Sequence, residues 1–135
     1  MSRLDPAATL PTRAHADDAG LDLYSLEDAE LGLGEGRVVR TGVAMAIPAG
    51  HVGLVCDRSS MAKRGFKTAG GVIDAGYRGE VGVMLWNISR HAQAVKKGER
   101  IAQLLVIPIS TPAPVDSDDL GQTARGVGGF GSTGK

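Results

Sequence analysis

The chain is short of several things, and each shortage excludes a class of protein. It has no surplus of charge: 15 Lys and Arg stand against 15 Asp and Glu. A general nucleic-acid or membrane-surface binder needs a basic excess, so neither partner is expected, and any bound anion must meet a local cluster of charge. It has one cysteine, Cys56, which excludes an internal disulfide, and no Cys/His spacing suits a structural metal. Cys56 reads as a small buried hydrophobe. The opening stretch MSRLDPAATLPTR lacks the apolar core of a signal peptide. No run approaches the roughly 18 apolar residues of a membrane span. The expectation is a cytoplasmic protein, and 135 residues suit one domain. Aromatics are scarce, at 4%, so the core must be built from small aliphatic side chains.

What the chain has in excess is glycine, 20 of 135, about twice the usual ~7%. Many tight turns and few bulky groups suggest short strands rather than long helices. The readable strands are β-branched: RVVRTG leads into VAMAIPAG, where Val43, Met45 and Ile47 alternate with Ala. HVGLVC follows, then GVIDAGYRG, EVGVMLWNI and AQAVKKGERIAQLLVIPIS. Turn-forming residues fall between them at roughly 8–12-residue spacing, the mark of an all-β sandwich or barrel. KKGE at 96–99 reads as a turn between two strands, and GGVIDAGYRGE at 70–80 as a hairpin with Asp74 and Tyr77 near its tip. SSMAKRG at 59–65 is the one helical turn, with Ser59 or Ser60 as N-cap. From Thr111 onward the pattern fails. A core over 1–112 is expected, followed by a mobile arm over 113–135, rich in Pro, Gly, Ser and Asp.

That arm ends in GFGSTGK, which fits the G-x-x-x-x-G-K of a phosphate-binding P-loop. A P-loop needs a helix after it, whose N-terminus supplies backbone N–H groups, and none can follow here. Four other stretches are too polar or too glycine-rich for their surroundings. DDAGLDLYS places Asp22 between two leucines, on the opposite face of a short strand. DRSSMAKRG combines Arg58 with two hydroxyls, and arginine's fork of donors suits phosphate oxygens. GGVIDAGYRGE carries Asp74 and Tyr77, and GERIAQLL sets Arg100 and Gln103 in an apolar strand. Taken singly, each has an ordinary explanation as a turn former, a capped surface turn or an outward-facing polar residue.

Together and in order they do not. The chain resembles the trimeric dUTP diphosphatases, or dUTPases, over nearly its whole length. AGLDLYS (19–25), DRSSMA (57–62), GGVIDAGYRGEVGV (70–83), GERIAQLL (98–105) and RGVGGFGSTG (125–134) are similar to that family's five ordered motifs, and the last is the most specific.

The resemblance implies a jelly-roll β-sandwich, a homotrimer in which three subunits share each of three active sites, and hydrolysis of dUTP to dUMP and pyrophosphate with Mg²⁺. Such an activity keeps uracil out of DNA and supplies dUMP for thymidylate synthesis. Carried over by position, Asp74 is the general base that activates the water attacking the α-phosphorus. Tyr77 lies beneath the deoxyribose and leaves no room for a 2′-hydroxyl. Asp22 meets Mg²⁺ through water, in keeping with a cation that retains its waters. Arg58, Ser59, Ser60 and Gln103 bind the phosphate chain. Backbone groups of the 68–74 hairpin, with Gly71 and Ile73, read uracil. The arm closes as a lid, with Phe130 on the base and Arg125, Gly131, Ser132 and Thr133 at the phosphates. Its glycines let N–H groups approach oxygens closely, as in a P-loop.

The chain departs from the family's pattern at Asp57, where relatives often carry an uncharged residue. A carboxylate there repels phosphate unless it points away or pairs with Arg58, Lys63 or Arg64. Met61, Thr68 and Gly76 are milder departures. Two competitors remain. One is a dCTP deaminase of related fold, which needs a catalytic glutamate that only Glu80 could supply. The other is a regulatory protein for which the nucleotide is a switch.

Overall fold

The computed structural model describes residues 1–129 and Ser132. Phe130, Gly131 and Thr133 lie outside the described residues. Among those described, eleven strands and one short helix follow one another: β1 (Ser2–Arg3), β2 (Leu21–Tyr24), β3 (Ala29–Leu31), β4 (Gly36–Val39), β5 (Val43–Ala44) and β6 (His51–Cys56), then α1 (Ser59–Lys63), β7 (Phe66–Ala69), β8 (Val72–Ile73), β9 (Val83–Asn87), β10 (Gln93–Val95) and β11 (Arg100–Pro108). This is the all-β class that the turn spacing predicts.

Two sheets carry the fold. One runs β2-β11-β6-β8 and the other β4-β9-β7, and two-strand pairs β1-β5 and β10-β3 flank them. The strands alternate as half-buried strands must. In β2, Leu21 and Leu23 face inward and Asp22 outward; in β9, Val83, Leu85 and Asn87 are buried and Trp86 is exposed. Leu23, Leu31, Val39, Val43, Val81, Val83, Leu85, Val95, Ile101 and Leu104 expose nothing. Burying each such side chain is worth about 1.5–3 kcal/mol. Phe66 is the one aromatic in the core among the described residues, as the composition implies. Asn87 is buried too, and its amide nitrogen donates to the carbonyls of Leu31, Gly32 and His91 while its oxygen accepts from Ser89. A buried amide with its hydrogen bonds met pins neighbouring segments to the end of β9, the central strand of its sheet, instead of destabilising the core.

Three local expectations change. The segment 70–80 is not a hairpin: β8 pairs with β6, whereas β9 pairs with β4 and β7, so the chain crosses from one sheet to the other through Asp74–Val81. The 68–74 segment is not a hairpin either, because β7 and β8 belong to different sheets. Periodicity reports which face a strand buries but says nothing of which strand lies beside it. The N-cap of α1 is Arg58, extended and without a side-chain cap bond, rather than Ser59 or Ser60. Buried Met61, not a capping hydroxyl, anchors this single turn. The 96–99 turn does join two strands, but β10 and β11 lie in separate sheets.

Candidate active site

Asp22, Gln103 and Cys56 stand in one row across the larger sheet, because Gln103 of β11 is in register with Asp22 of β2 on one side and Cys56 of β6 on the other. Where β6 ends, Asp57 and Arg58 carry the chain into α1. Arg58 therefore arises at the edge of the row, and its Nε lies 2.7 Å from Asp22 Oδ1. Arg100, at the start of β11, reaches Asp22 Oδ2 at 3.1 Å. Arg58 also donates to the Arg100 carbonyl at 3.1 Å and to Ser60 Oγ at 3.3 Å. One carboxylate thus holds two guanidinium groups, and the cluster keeps a net positive charge. Gln103 Nε2 donates to the Asp57 carbonyl at 2.8 Å, which turns its side chain across Gly20. A Cβ at Gly20 would lie 2.2 Å from Gln103 Oε1, so any larger residue there would push the Gln103 amide out of its present position.

These groups line a concavity of about 450 Å³ with Ala14, Asp18, Ala19, Ser59 and Ser60. Asp57 is not among its lining residues. Its Oδ1 accepts from the Thr68 N–H and hydroxyl, both at 2.7 Å, and its Oδ2 pairs with Lys67 at 2.5 Å. The carboxylate points away from the concavity, with Lys67 as partner instead of Arg58, Lys63 or Arg64. Burial alone would raise its pKa, but the hydrogen bonds from Lys67 and Thr68 outweigh that and lower it below the ordinary carboxylate value.

Asp74 and Tyr77 occupy a second place. The Tyr77 N–H donates to the Asp74 carbonyl at 3.0 Å, closing a tight turn after buried Ile73. The Tyr77 hydroxyl donates to the Glu80 carbonyl at 2.9 Å, which fixes the direction of the ring. Asp74 is exposed. Gly71 lies against β6: its carbonyl accepts from Val55 N–H at 2.8 Å, and a Cβ on it would stand 2.5 Å from the Val55 oxygen. Gly70, Val72, Ile73, Asp74, Tyr77 and Glu80 line a concavity of about 330 Å³. It shares no lining residue with the first.

Of the residues singled out in the sequence, Asp22, Arg58, Ser59, Ser60 and Gln103 come together in one place, and Ile73, Asp74 and Tyr77 in another beside Gly71. Arg125 meets neither group; it is exposed, and its Nε donates to the Gly128 carbonyl. Ser132 is exposed as well. Arg100 is the member missed as a site residue. A guanidinium at the head of an otherwise apolar strand was a usable signal. Glu80 is engaged: its carboxylate accepts from the Thr41 and Gly42 N–H groups and pairs with Arg40, so it is not a free catalytic acid.

The arrangement can grip a polyanion at one place and a carboxylate-activated water at another. The dUTPase family model matches residues 7–134. The chain belongs to the dUTPase family. It is 50% identical to the deoxyuridine 5′-triphosphate nucleotidohydrolase of Mycobacterium tuberculosis strain H37Rv, over 98% of this chain and 92% of that one. The enzyme of the same name from Mycolicibacterium gilvum is 49% identical over the same shares. Among solved dUTPase structures, a mutant of the Staphylococcus bacteriophage 80alpha dUTPase with dUpNHpp superposes with a TM-score of 0.93 at 32% identity, covering 99% of this chain and 96% of that one. A mutant dUTPase from phage phi11 of S. aureus, which coordinates a structural Mg(II) ion, gives 0.83 at 28% identity, covering 90% and 97%.

Proposed function

We propose that this chain hydrolyses dUTP to dUMP and pyrophosphate. The observation that carries the reading is the Arg58–Asp22–Arg100 cluster with Gln103 beside it, in a chain half-identical to deoxyuridine triphosphate nucleotidohydrolases. Two guanidinium groups on a single carboxylate leave donors for a triphosphate, and charge-assisted bonds of this kind are the strong ones.

In the mechanism, Arg58, Ser59, Ser60 and Gln103 hold the phosphate chain. Asp74 takes a proton from the water that attacks the α-phosphorus; the new P–O bond forms as the bond to the β-phosphate oxygen breaks, and pyrophosphate leaves. An exposed carboxylate on a short turn can reach such a water without strain. Tyr77, its hydroxyl held by the Glu80 carbonyl, presents its ring to the sugar and excludes a 2′-hydroxyl. Backbone groups between Thr68 and Asp74, Gly71 and Ile73 among them, read the uracil edge. The arm over 113–135 brings Arg125, Phe130, Gly131, Ser132 and Thr133 over the nucleotide.

The cofactor is Mg²⁺, and the donor set suits it. Among the described residues no three His, Cys, Asp or Glu side chains converge, and both oxygens of Asp22 already face arginines. Such a carboxylate meets a hydrated cation through its waters, and Mg²⁺ keeps its waters while taking phosphate oxygens. Asp22 is its protein partner; when bound, the ion neutralises charge on the triphosphate.

We further propose a homotrimer in which three subunits share each site, with the phosphate concavity of one chain facing the Asp74–Tyr77 turn of the next. The two concavities of a single chain share no residue, and the smaller sheet exposes Val38 and Trp86, apolar surface a second copy can cover. A cytoplasmic location fits a nucleotide substrate. No helix among the described residues is long and apolar enough to cross a membrane.

The test is pyrophosphate release with Mg²⁺ from dUTP, dCTP, dTTP and UTP, each alone. Release from dUTP only is expected. Release of pyrophosphate from dCTP, with dUMP as product, would return the deaminase, and no release from dUTP would refute the reading.

A further inference from the structure

The departure at Asp57 has a purpose in this fold. β7 is the edge strand of its sheet, and the amide of Thr68 is satisfied by the Asp57 carboxylate rather than by another strand. The same oxygen takes the Thr68 hydroxyl, and the other takes Lys67. Asp57 therefore ties an edge of the smaller sheet to the end of β6 in the larger one. Its own backbone carbonyl accepts from Gln103, and Arg58 follows it in sequence. On the far side, two residues beyond Thr68, the chain turns at Gly70 and lies along β6 through Gly71 and Ile73. One residue thus touches the support of both halves of the site.

We propose that Asp57 is a positioning residue, whose carboxylate clamps the Thr68–Ile73 turn against the strand end that presents Arg58 and Gln103. The inference rests on the reading of this turn as the uracil-binding element. The acceptor lone pairs are spent on β7, so the negative charge does not face the triphosphate. Removing the carboxylate frees an edge amide, a hydroxyl and a lysine at once, and the turn loses its tie to β6 at the Thr68 end. The base pocket then loosens while the attacking carboxylate, Asp74, keeps its own turn.

The test uses the full chain with Asp57→Ala and Asp57→Asn. In dUTP hydrolysis with Mg²⁺, Asp57→Ala is expected to raise KM about tenfold with kcat within about twofold, the signature of lost ground-state binding. Asp57→Asn keeps an oxygen for Thr68 and is expected to recover most of that loss. Amide exchange at Thr68 is expected to speed by about 100-fold in Asp57→Ala, because opening of a protected edge then costs less. Thr68→Val, which removes only the hydroxyl bond, is expected to raise KM about threefold, and it keeps the test alive if Asp57→Ala fails to fold. An unchanged KM and unchanged exchange would overturn the clamp. So would parallel loss of kcat, KM and melting temperature in both Asp57 variants, which marks packing alone. The exchange measurement needs no turnover: a chain that fails to hydrolyse dUTP refutes the functional reading, while Thr68 still reports on the clamp.

Discussion

The two halves of the site are held in different ways. Around Asp22 the side chains are cross-linked by charge: two arginines converge on one carboxylate, and Gln103 is fixed by a backbone oxygen. Around Asp74 the hydrogen bonds are those of a turn, and the Asp74 carboxylate and the Tyr77 ring are exposed. The first half is preorganised for a highly charged group, whose binding would otherwise have to order several long side chains. The second is an exposed edge, which in the proposed trimer a neighbouring chain encloses. In the proposed mechanism a site split this way places binding strength and chemistry on separate elements, so the two can be damaged separately.

Asp74→Asn tests the split most severely. It is expected to lower kcat about 1,000-fold, within the usual range for a general base, while dUTP affinity stays within about threefold of the original. Mixing this variant with Arg58→Ala and letting subunits exchange is expected to restore part of the turnover, because some sites then combine an intact half from each. No recovery in the mixture would mean that one chain supplies both halves. Deleting 125–135 is expected to lower kcat/KM about 100-fold, comparable to losing an electrostatic donor set in other enzymes, without changing the melting temperature or the size of the assembly. Tyr77→Ala is expected to narrow the preference for dUTP over UTP by about tenfold, the order of effect a single group in a pocket commands. Continued refusal of UTP would move discrimination elsewhere.

The smallest effect concerns pH. The folded pKa of Asp57 lies below its ordinary value, so the carboxylate contributes stability that is present above the unfolded value of about 3.9 and is lost as pH falls through the folded one. Lys67 is more than half exposed, and solvent screening limits the contribution to under about 1 kcal/mol. Urea midpoints of the native chain and Asp57→Asn are expected to differ at neutral pH and to converge well below pH 4. A constant difference across that range would remove Asp57 from the acid response.

Much of this was legible in the residues. The alternation of Val43, Met45 and Ile47 marked residues that are buried, and the scarcity of aromatics matched an aliphatic interior with Phe66 alone among the described residues. The polar interruptions at Asp22, Arg58 and Gln103 did mark one place. Other features were not legible. The segment around Asp74 reads as a hairpin because turn residues flank two apolar runs, yet those runs join different sheets. Arg100 was noticed without a role, since its partner Asp22 lies 78 residues away in sequence.

The sequence by itself determined the all-β class, the alternation of the strands it revealed, the identity of the polar groups and the family to which their order belongs, because these are local matters of pattern and chemical type. Only the tertiary structure decided who pairs with whom: Asp22 with two arginines, Asp57 with Lys67 and Thr68 rather than with Arg58, Glu80 with Arg40 and two backbone amides. Charge partnership depends on distance in space, and distance is set by the strand order β2-β11-β6-β8 and β4-β9-β7, which no local pattern encodes.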